Sequence, residues 1–420
     1  MRSAAEAGMT VPLRAEIGWP PAVIAGAYQT GVLGVRSLRR RCVRAVCFDC
    51  NPTYPGFRSV YGPARLAPDP DRDPDAWVRF MVGLAGSLGE RPVLIPSSDQ
   101  FVSAIARHRT GLAEHYRLSP GVVLQGELAE KATQYALAAT HGMPLPRTQQ
   151  ADSVADVERF AAEARYPCLV KPMHFREWRR LPAEHPLLGA KIAIAATPAA
   201  LLKHYASVAA VTPQVMVQEI IEGPDTAKRV YLACYDAEGR RIAHAMFREL
   251  RCEPVGFGPA SVSEPVADPE TDAVCNRFLQ SIGYSGICEI EMKWDSHDGR
   301  VKLIEANPRL SGGGDAAPYD GVDLCWLHYL EMIGHRVAPV APSGRDFRHI
   351  VLRSDAVAAP AYLAAGLLTW RDLLRSYRPP LAFYDFDLRD WRYSAETVAL
   401  FARSVLRSAA GSLFRERPTK

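Results

Sequence analysis

The sequence predicts an α/β protein in which a parallel α/β domain is followed by a larger α+β domain built on antiparallel sheets. Three observations carry this. Short apolar strands alternate with helical spacing over residues 20–125. Strand pairs joined by polar, glycine-containing turns recur between Lys228 and Asn307. The chain has 420 residues, 48% of them hydrophobic, which suffices for two to three domains with cores of their own.

Residues Met1 to Gly18 read as a loosely held tail. Val23-Ile24-Ala25 forms a strand entering Gly26-Ala27-Tyr28-Gln29-Thr30-Gly31, Val32 to Arg41 continues with helical spacing, and Val43 to Phe48 is the next strand. Gly26, Gly31 and Gly34 do not form G-x-G-x-x-G, so a dinucleotide fingerprint is absent. Pro92 to Pro96 is a further strand between helical segments at 74–88 and 100–115, and Asp99 just beyond it is a candidate for substrate contact.

A helix over Glu127 to His141 carries Lys131, and Gly142-Met143-Pro144 stops it. Ser153 to Ala164 is another helix. Tyr166 to Pro172 then reads as a buried strand ending in Lys171, an ammonium that burial would penalise unless an anion meets it. The loop from Met173 is basic and reaches Lys191 before a strand at Ile192-Ala193-Ile194. Val215 to Ile221 is a strand broken at Gly223-Pro224-Asp225. Lys228 to Tyr235 and Arg241 to Arg251 form a hairpin. Its end places Arg248 and Arg251 before the loop 253–258, where they could hold an acceptor carboxylate or an acyl phosphate.

The densest chemistry lies in Gly286 to Gly314, GICEIEMKWDSHDGRVKLIEANPRLSGGG. Strand alternation sends Glu289, Glu291 and Lys293 to one face, and groups Val301, Leu303, Glu305 and Asn307 on one face of the partner strand. Pairing the strands gathers Glu291, Glu305 and Asn307 as oxygen ligands, the donor set of Mg²⁺ beside a nucleotide's phosphates. Glu289 alone reads as an acidic residue on the hairpin's wet face. Arg309 adds a fixed guanidinium fork for an anionic substrate or transition state.

The E-A-N-P-R segment at 305–309, with a strand glutamate and an Asp-Gly turn before it, resembles the metal-binding end of ATP-grasp ligases, in particular the D-aspartate ligase-like and carbamoyl-phosphate synthetase-like carboxylate–amine ligases. The resemblance spans roughly 20–335. It implies a pre-ATP-grasp domain at 19–125, an ATP-grasp domain at 126–340 with its lid at about 166–218, and a C-terminal extension at 341–420. It also implies ATP with Mg²⁺, or Mn²⁺ in its place. Lys131 and Lys171 would reach the phosphates, and Lys191 would help close the site. Gln218 and Glu219 would lie at the adenine amino edge, Ile221 would supply main-chain hydrogen bonds, and Asp225 would accept from the ribose. The glycine-rich flap common in the family is replaced here by the basic loop 173–190. The implied reaction activates a carboxylate as an acyl phosphate and joins it to an amine; a kinase or an ATP-binding protein without turnover are the alternatives.

Bulk properties narrow the partners. Fifty Lys and Arg stand against 46 Asp and Glu, too balanced for a nucleic-acid or membrane surface. Eight of the fifty are lysines, so each lysine is informative. Nine cysteines are thinly spread, as in a reduced cytoplasmic protein. Cys42, Cys47 and Cys50 have an iron–sulfur spacing but lie in an alternating, strand-like stretch. No run approaches a membrane span. An amphipathic, basic helix over Ala395 to Arg417 suits a packed cap or an oligomer contact such as a homodimer's.

Overall fold

The structure, a computed structural model, describes residues 18–62, 64–173 and 177–413. The tail at 1–17, His174 to Arg176 of the basic loop and residues 414–417 of the helix expected over Ala395 to Arg417 lie outside them. Among the described residues three sheets organise the fold.

The first sheet comprises β1 (Ala22–Ala25), β2 (Ala45–Asp49), β3 (Arg65–Leu66) and β4 (Val93–Pro96), all parallel, in the order β3-β2-β1-β4. Every residue of β1 is buried, as a central parallel strand covered on both faces must be. The first helix, Gln29–Arg39, begins three residues earlier than its apolar spacing suggests. Glycine permits this: a Cβ on Gly31 would sit 2.0 Å from the Gly26 carbonyl oxygen. Gly34, on the same helix, leaves room for Leu310, whose Cδ2 would lie 2.9 Å from a Cβ there. This domain therefore packs directly against the loop that follows Arg309. The expected helix at 100–115 is two helices, Asp99–Arg107 and Arg109–Ala113, meeting at His108. The Cys47 thiol is buried in β2 and pushed up to about 12 by desolvation.

The second sheet, β5 (Thr148–Ala151), β6 (Cys168–Pro172), β7 (Ala193–Ala195) and β8 (Val215–Glu219), is antiparallel in the order β5-β8-β6-β7. It starts before the expected 166–218, because the polar stretch Thr-Gln-Gln-Ala pairs along β8. Val170, Val215 and Val217 pack under the helices Val154–Glu163 and Pro198–Val208. Leu169, Lys171, Met216 and Gln218 share the opposite face.

The third sheet has seven strands in the order β13-β12-β9-β10-β11-β14-β15. They are β9 (Lys228–Tyr235), β10 (Arg241–Cys252), β11 (Ala260–Pro265), β12 (Gly286–Asp295), β13 (Arg300–Asn307), β14 (Arg348–Ile350) and β15 (Leu381–Phe383). The C-terminal segment is therefore part of the main sheet rather than an appendage: β14 pairs antiparallel with β11, and β15 parallel with β14. Its last helix, Trp391–Leu413, is tied at its start to the N-terminal domain, with Val60 N–H donating to Asp390 Oδ1 at 2.9 Å and Arg58 pairing with Glu396 at 2.6 Å. Among the described residues no helix is long and apolar enough to cross a membrane.

Candidate active site

The β12–β13 hairpin holds the acidic cluster, but not with the alternation the sequence suggests. Glu289 faces Asn307 and Glu291 faces Glu305. The register then slips, so that Met292 faces Leu303. Ile304 is the extra residue of a bulge. It turns Val301 and Leu303 into the core while Glu305 and Asn307 turn to the site, correcting the single shared face expected for the four. Glu289, read as a wet-face residue, is 6% exposed and belongs to the cluster: Asn307 Nδ2 donates to its Oε1 at 3.2 Å and Ser311 Oγ to its Oε2 at 2.7 Å. Strand period alone places it beside Glu291; what the sequence hides is its burial.

Two side chains of the helix Lys131–Thr140 fix this edge. Gln134 brackets Ala306, donating to its carbonyl at 2.5 Å and accepting from its N–H at 3.0 Å, so the main chain between Glu305 and Asn307 is held from both sides. Tyr135 Oη donates to the Ile304 carbonyl at 2.7 Å and accepts from Gln218 Nε2 at 2.8 Å, while Gln218 Oε1 accepts from Lys171 Nζ at 3.1 Å. The bulge carbonyl, freed from the ladder, thereby connects the two antiparallel sheets. The expected single helix over 127–141 is broken at Glu130, whose backbone is extended (ψ 116°), because Lys131 begins a new helix docked on β13.

Lys171 is 8% exposed, and its ammonium lies 4.9 Å from the Tyr135 ring centre. Burial lowers its pKa to about 8, with Glu305 opposing the shift. Burial also lowers Lys131, again against Glu305 and with Lys171 and Lys191 adding repulsion. Glu305, Lys131 and Lys171 thus converge, and Lys191 stands near enough for its charge to be felt. Across the cluster, burial raises Glu291 well above the usual carboxylate range, helped by repulsion from Glu289, Glu305 and Glu249.

Arg309 is held rather than free. Its Nε and Nη2 engage Asp99 at 2.6 and 3.1 Å, and Nη2 also donates to Asn307 Oδ1 at 2.9 Å. Asp99, considered above for substrate contact, is here the partner of Arg309 across the domain boundary.

Glu219, Arg248 and Arg251 depart from their expected roles, while Ile221 and Asp225 stand near one another at the strand's end. Glu219 follows Gln218 in a strand and so points to the opposite face, where Arg165 binds it through its main-chain N–H at 2.8 Å and its guanidinium at 2.9 Å. Its carboxylate does not share a face with Gln218, which is itself committed to Lys171, Tyr135 and Thr148. Arg248 lies opposite Arg229, on the face of the sheet away from Glu291, and pairs with Glu264. Arg251 is 0% exposed. It grips Asp355 with two 2.8 Å hydrogen bonds and donates to Ser376 Oγ at 2.8 Å, which anchors the C-terminal segment and leaves no fork for an acceptor. Ile221 is buried one residue beyond Ile220, whose N–H donates to the Pro167 carbonyl at 3.2 Å. Asp225 is 9% exposed; Gly256 N–H donates to its Oδ2 at 3.2 Å, as does the Tyr362 hydroxyl, while its Oδ1 is buried without a hydrogen bond. Burial raises the Asp225 pKa, but Tyr362 and Lys228 outweigh it and hold the carboxyl low.

The same face carries residues that sequence reasoning left unassigned. Lys293 faces Lys228 across β12 and β9, and Lys228 Nζ lies 3.1 Å from Glu249 Oε2. Burial pushes Glu249 up to about 7, with Lys228 opposing. The scarcity of lysine was the available signal for Lys228 and Lys293.

The donors fit a hard divalent cation. They are all oxygens, and the repulsion that raises Glu291 is what a cation would relieve. Among the described residues no three His, Cys, Asp or Glu side chains form a metal-ligating group; a hard cation held here would rest on Glu291, Glu305 and the Asn307 amide oxygen.

No protein-family model matches the chain. Solved structures superpose on most of it. The N5-carboxyaminoimidazole synthetase from Staphylococcus aureus complexed with ADP gives a TM-score of 0.62 at 11% identity, covering 83% of this chain and 87% of that one. The biotin carboxylase domain of Hydrogenobacter thermophilus 2-oxoglutarate carboxylase, in complex with MgADP, gives 0.58 at 16% identity over 75% and 70%. The chain has the ATP-grasp fold. A further ATP-grasp neighbour, the L-amino acid ligase from Bacillus licheniformis, gives 0.55 at 13% identity over 74% of each chain. Among curated relatives, the D-aspartate ligase of Enterococcus faecium is 23% identical over 275 residues, and the uncharacterized protein y4rH of Sinorhizobium fredii 28% over 230. These matches cover 62% and 50% of this ATP-grasp chain, which spans only 63% and 43% of the relatives' own lengths.

Proposed function

We propose that the chain is a Mg²⁺-ATP-dependent carboxylate–amine ligase. The observation that carries the reading is the convergence of Lys131 and Lys171 from one side and Glu305, with Glu291, Asn307 and Arg309, from the other. A nucleotide-binding protein without chemistry has little need of this full set. The relatives' names, a D-aspartate ligase and an L-amino acid ligase, support it.

In this reading Glu291, Glu305 and Asn307 would hold Mg²⁺, which would supply charge neutralisation at the phosphates, and the γ-phosphoryl group of ATP moves to a carboxylate. Lys171 and Lys131 hold the phosphates, and Lys191 closes over them. Ile221 supplies main-chain hydrogen bonds to adenine, and Asp225, whose Oδ1 lies 3.6 Å from the Lys228 ammonium, takes the ribose. Arg309, preset by Asp99, steadies the acyl phosphate that forms. An amine then attacks the acyl carbon and phosphate leaves. Catalysis is positioning and charge neutralisation, with no covalent enzyme intermediate.

The test is ADP and phosphate release with Mg²⁺-ATP across amino acids and small carboxylates, singly and in pairs. Turnover that requires an acid–amine pair and disappears in Glu305→Gln supports the ligase. ADP formed with one acceptor, without released phosphate, would replace it with a kinase. Binding of ATP without turnover on any pair would leave a binding protein.

A further inference from the structure

Among the described residues, a further pair of buried polar atoms beyond the acidic cluster makes no hydrogen bond. Asp315 ends the 3₁₀ turn Gly312–Asp315 that follows Arg309, and His349 lies on β14. Asp315 Oδ2 and His349 Nε2 are both buried, both without a hydrogen bond, and 3.8 Å apart. That separation is too long for a hydrogen bond between them. It nevertheless lets one nitrogen sit at about 2.8 Å from both.

The pair faces the active site. His349 is opposite Ser263, and Ser263 opposite Glu249, so His349 projects from the same face of the sheet as Glu249 and Lys228. Asp315 is four residues from Ser311, which binds Glu289. At roughly 2 Å of rise per residue in a 3₁₀ turn, it lies within about 8 Å of that serine. The phenols of Tyr319, Tyr384 and Tyr393 lie in the field of Asp315. Arg36 stands over the Tyr393 ring but already pairs with Asp387 at 3.1 Å. Tyr384 packs its ring edge-on against His349 and holds Thr30 Oγ1 at 3.4 Å, so walls from all three parts of the chain enclose the pair.

We propose that Asp315 and His349 form the receiving site for the ammonium group of the acceptor amine. The inference rests on the ligase reading and adds to it the residues that handle the second substrate. Asp315 attracts the cationic amine. His349 Nε2 takes the first proton, which frees the nitrogen lone pair. The lone pair then forms the C–N bond as the acyl C–O bond breaks, and phosphate leaves with that electron pair and takes up the second proton, which the nitrogen sheds on becoming an amide.

The experiment compares two nucleophiles on the full chain, with Mg²⁺-ATP and the activated acid held constant. One is the amine that turns over in the acid–amine panel. The other is hydroxylamine, which is mostly uncharged at neutral pH and is read as hydroxamate. Asp315→Asn and His349→Gln are each expected to raise KM for the amine at least about tenfold, with KM for ATP and acid within about twofold and hydroxamate formation nearly retained. Asp315→Glu should recover part of the amine affinity. An unchanged amine KM, or equal losses with amine and hydroxylamine, would overturn the inference. Should Asp315→Asn fail to fold, judged by its melting with Mg²⁺-ATP, His349→Gln decides alone. A wild-type chain that yields no hydroxamate from any acid overturns the ligase reading itself.

Discussion

Replacing Lys171 by methionine tests the phosphate side of the site and can be worked through quantitatively. Burial holds the Lys171 pKa at about 8 against 10.5 for a free lysine. The difference corresponds to about 3 kcal/mol of destabilisation carried by the charged form at neutral pH. Methionine removes that cost but leaves Gln218 Oε1 without its donor, about 1 kcal/mol, and gives up the contact with the Tyr135 ring, about 1 kcal/mol more. The ligand-free variant should therefore be more stable than wild type by about 1 kcal/mol at pH 7. The sign with pH follows from linkage. The folded pKa is the lower one, so the native state releases its proton first, and wild-type stability rises as pH climbs from about 8 to 10.5. By pH 10 the residual penalty is about 1 kcal/mol, and Lys171→Met should lose its advantage. ATP affinity should fall by about 100-fold, since a desolvated charge pair is lost. Urea denaturation at pH 7 and pH 10, with calorimetric titration of Mg²⁺-ATP, reads all three. A variant destabilised by 2 kcal/mol or more at pH 7, or one that binds ATP normally, would refute the reasoning.

Other substitutions separate the assignments. Arg251→Met should cost about 3–5 kcal/mol by urea denaturation, because it strands a buried Asp355; the double variant with Asp355→Leu should recover much of that. Arg248→Ala should stay within about 1 kcal/mol and leave turnover intact, since its partner Glu264 lies on the face away from the site. Glu291→Gln should stabilise the metal-free protein by relieving carboxylate crowding, yet abolish the Mg²⁺-dependent rise in melting temperature with ATP, measured by thermal shift. Tyr362→Phe removes the hydroxyl that holds Asp225, and should raise KM for ATP several-fold without changing KM for the acid.

Periodicity made the site hairpin legible, because strands of Ile, Met and Trp alternating with glutamate have one reading. It could not reveal the Ile304 bulge, since a bulge leaves no compositional mark when the inserted residue is apolar. The break at Glu130 was hidden for the same reason: no glycine or proline signals it, and docking on β13 imposes it. Arg248 and Arg251 show the deeper difficulty. Both read as cations near an active site, yet their fates depend on which carboxylate the fold brings to them. Glu264 is near in sequence, whereas Asp355 is 104 residues away. The short strands β14 and β15 were missed because three residues carry too little pattern to announce a strand.

The reach from Arg251 to Asp355 also has a consequence for biosynthesis. A guanidinium that ends fully enclosed must stay hydrated until its counter-charge is made. The end of β10 can therefore close only after the ribosome has delivered the helix Leu352–Ala364, which bears both Asp355 and Tyr362. Through the same late-arriving helix, Tyr362 takes hold of Asp225. A nascent chain would carry the acidic hairpin for some time before Asp225 gained its Tyr362 partner.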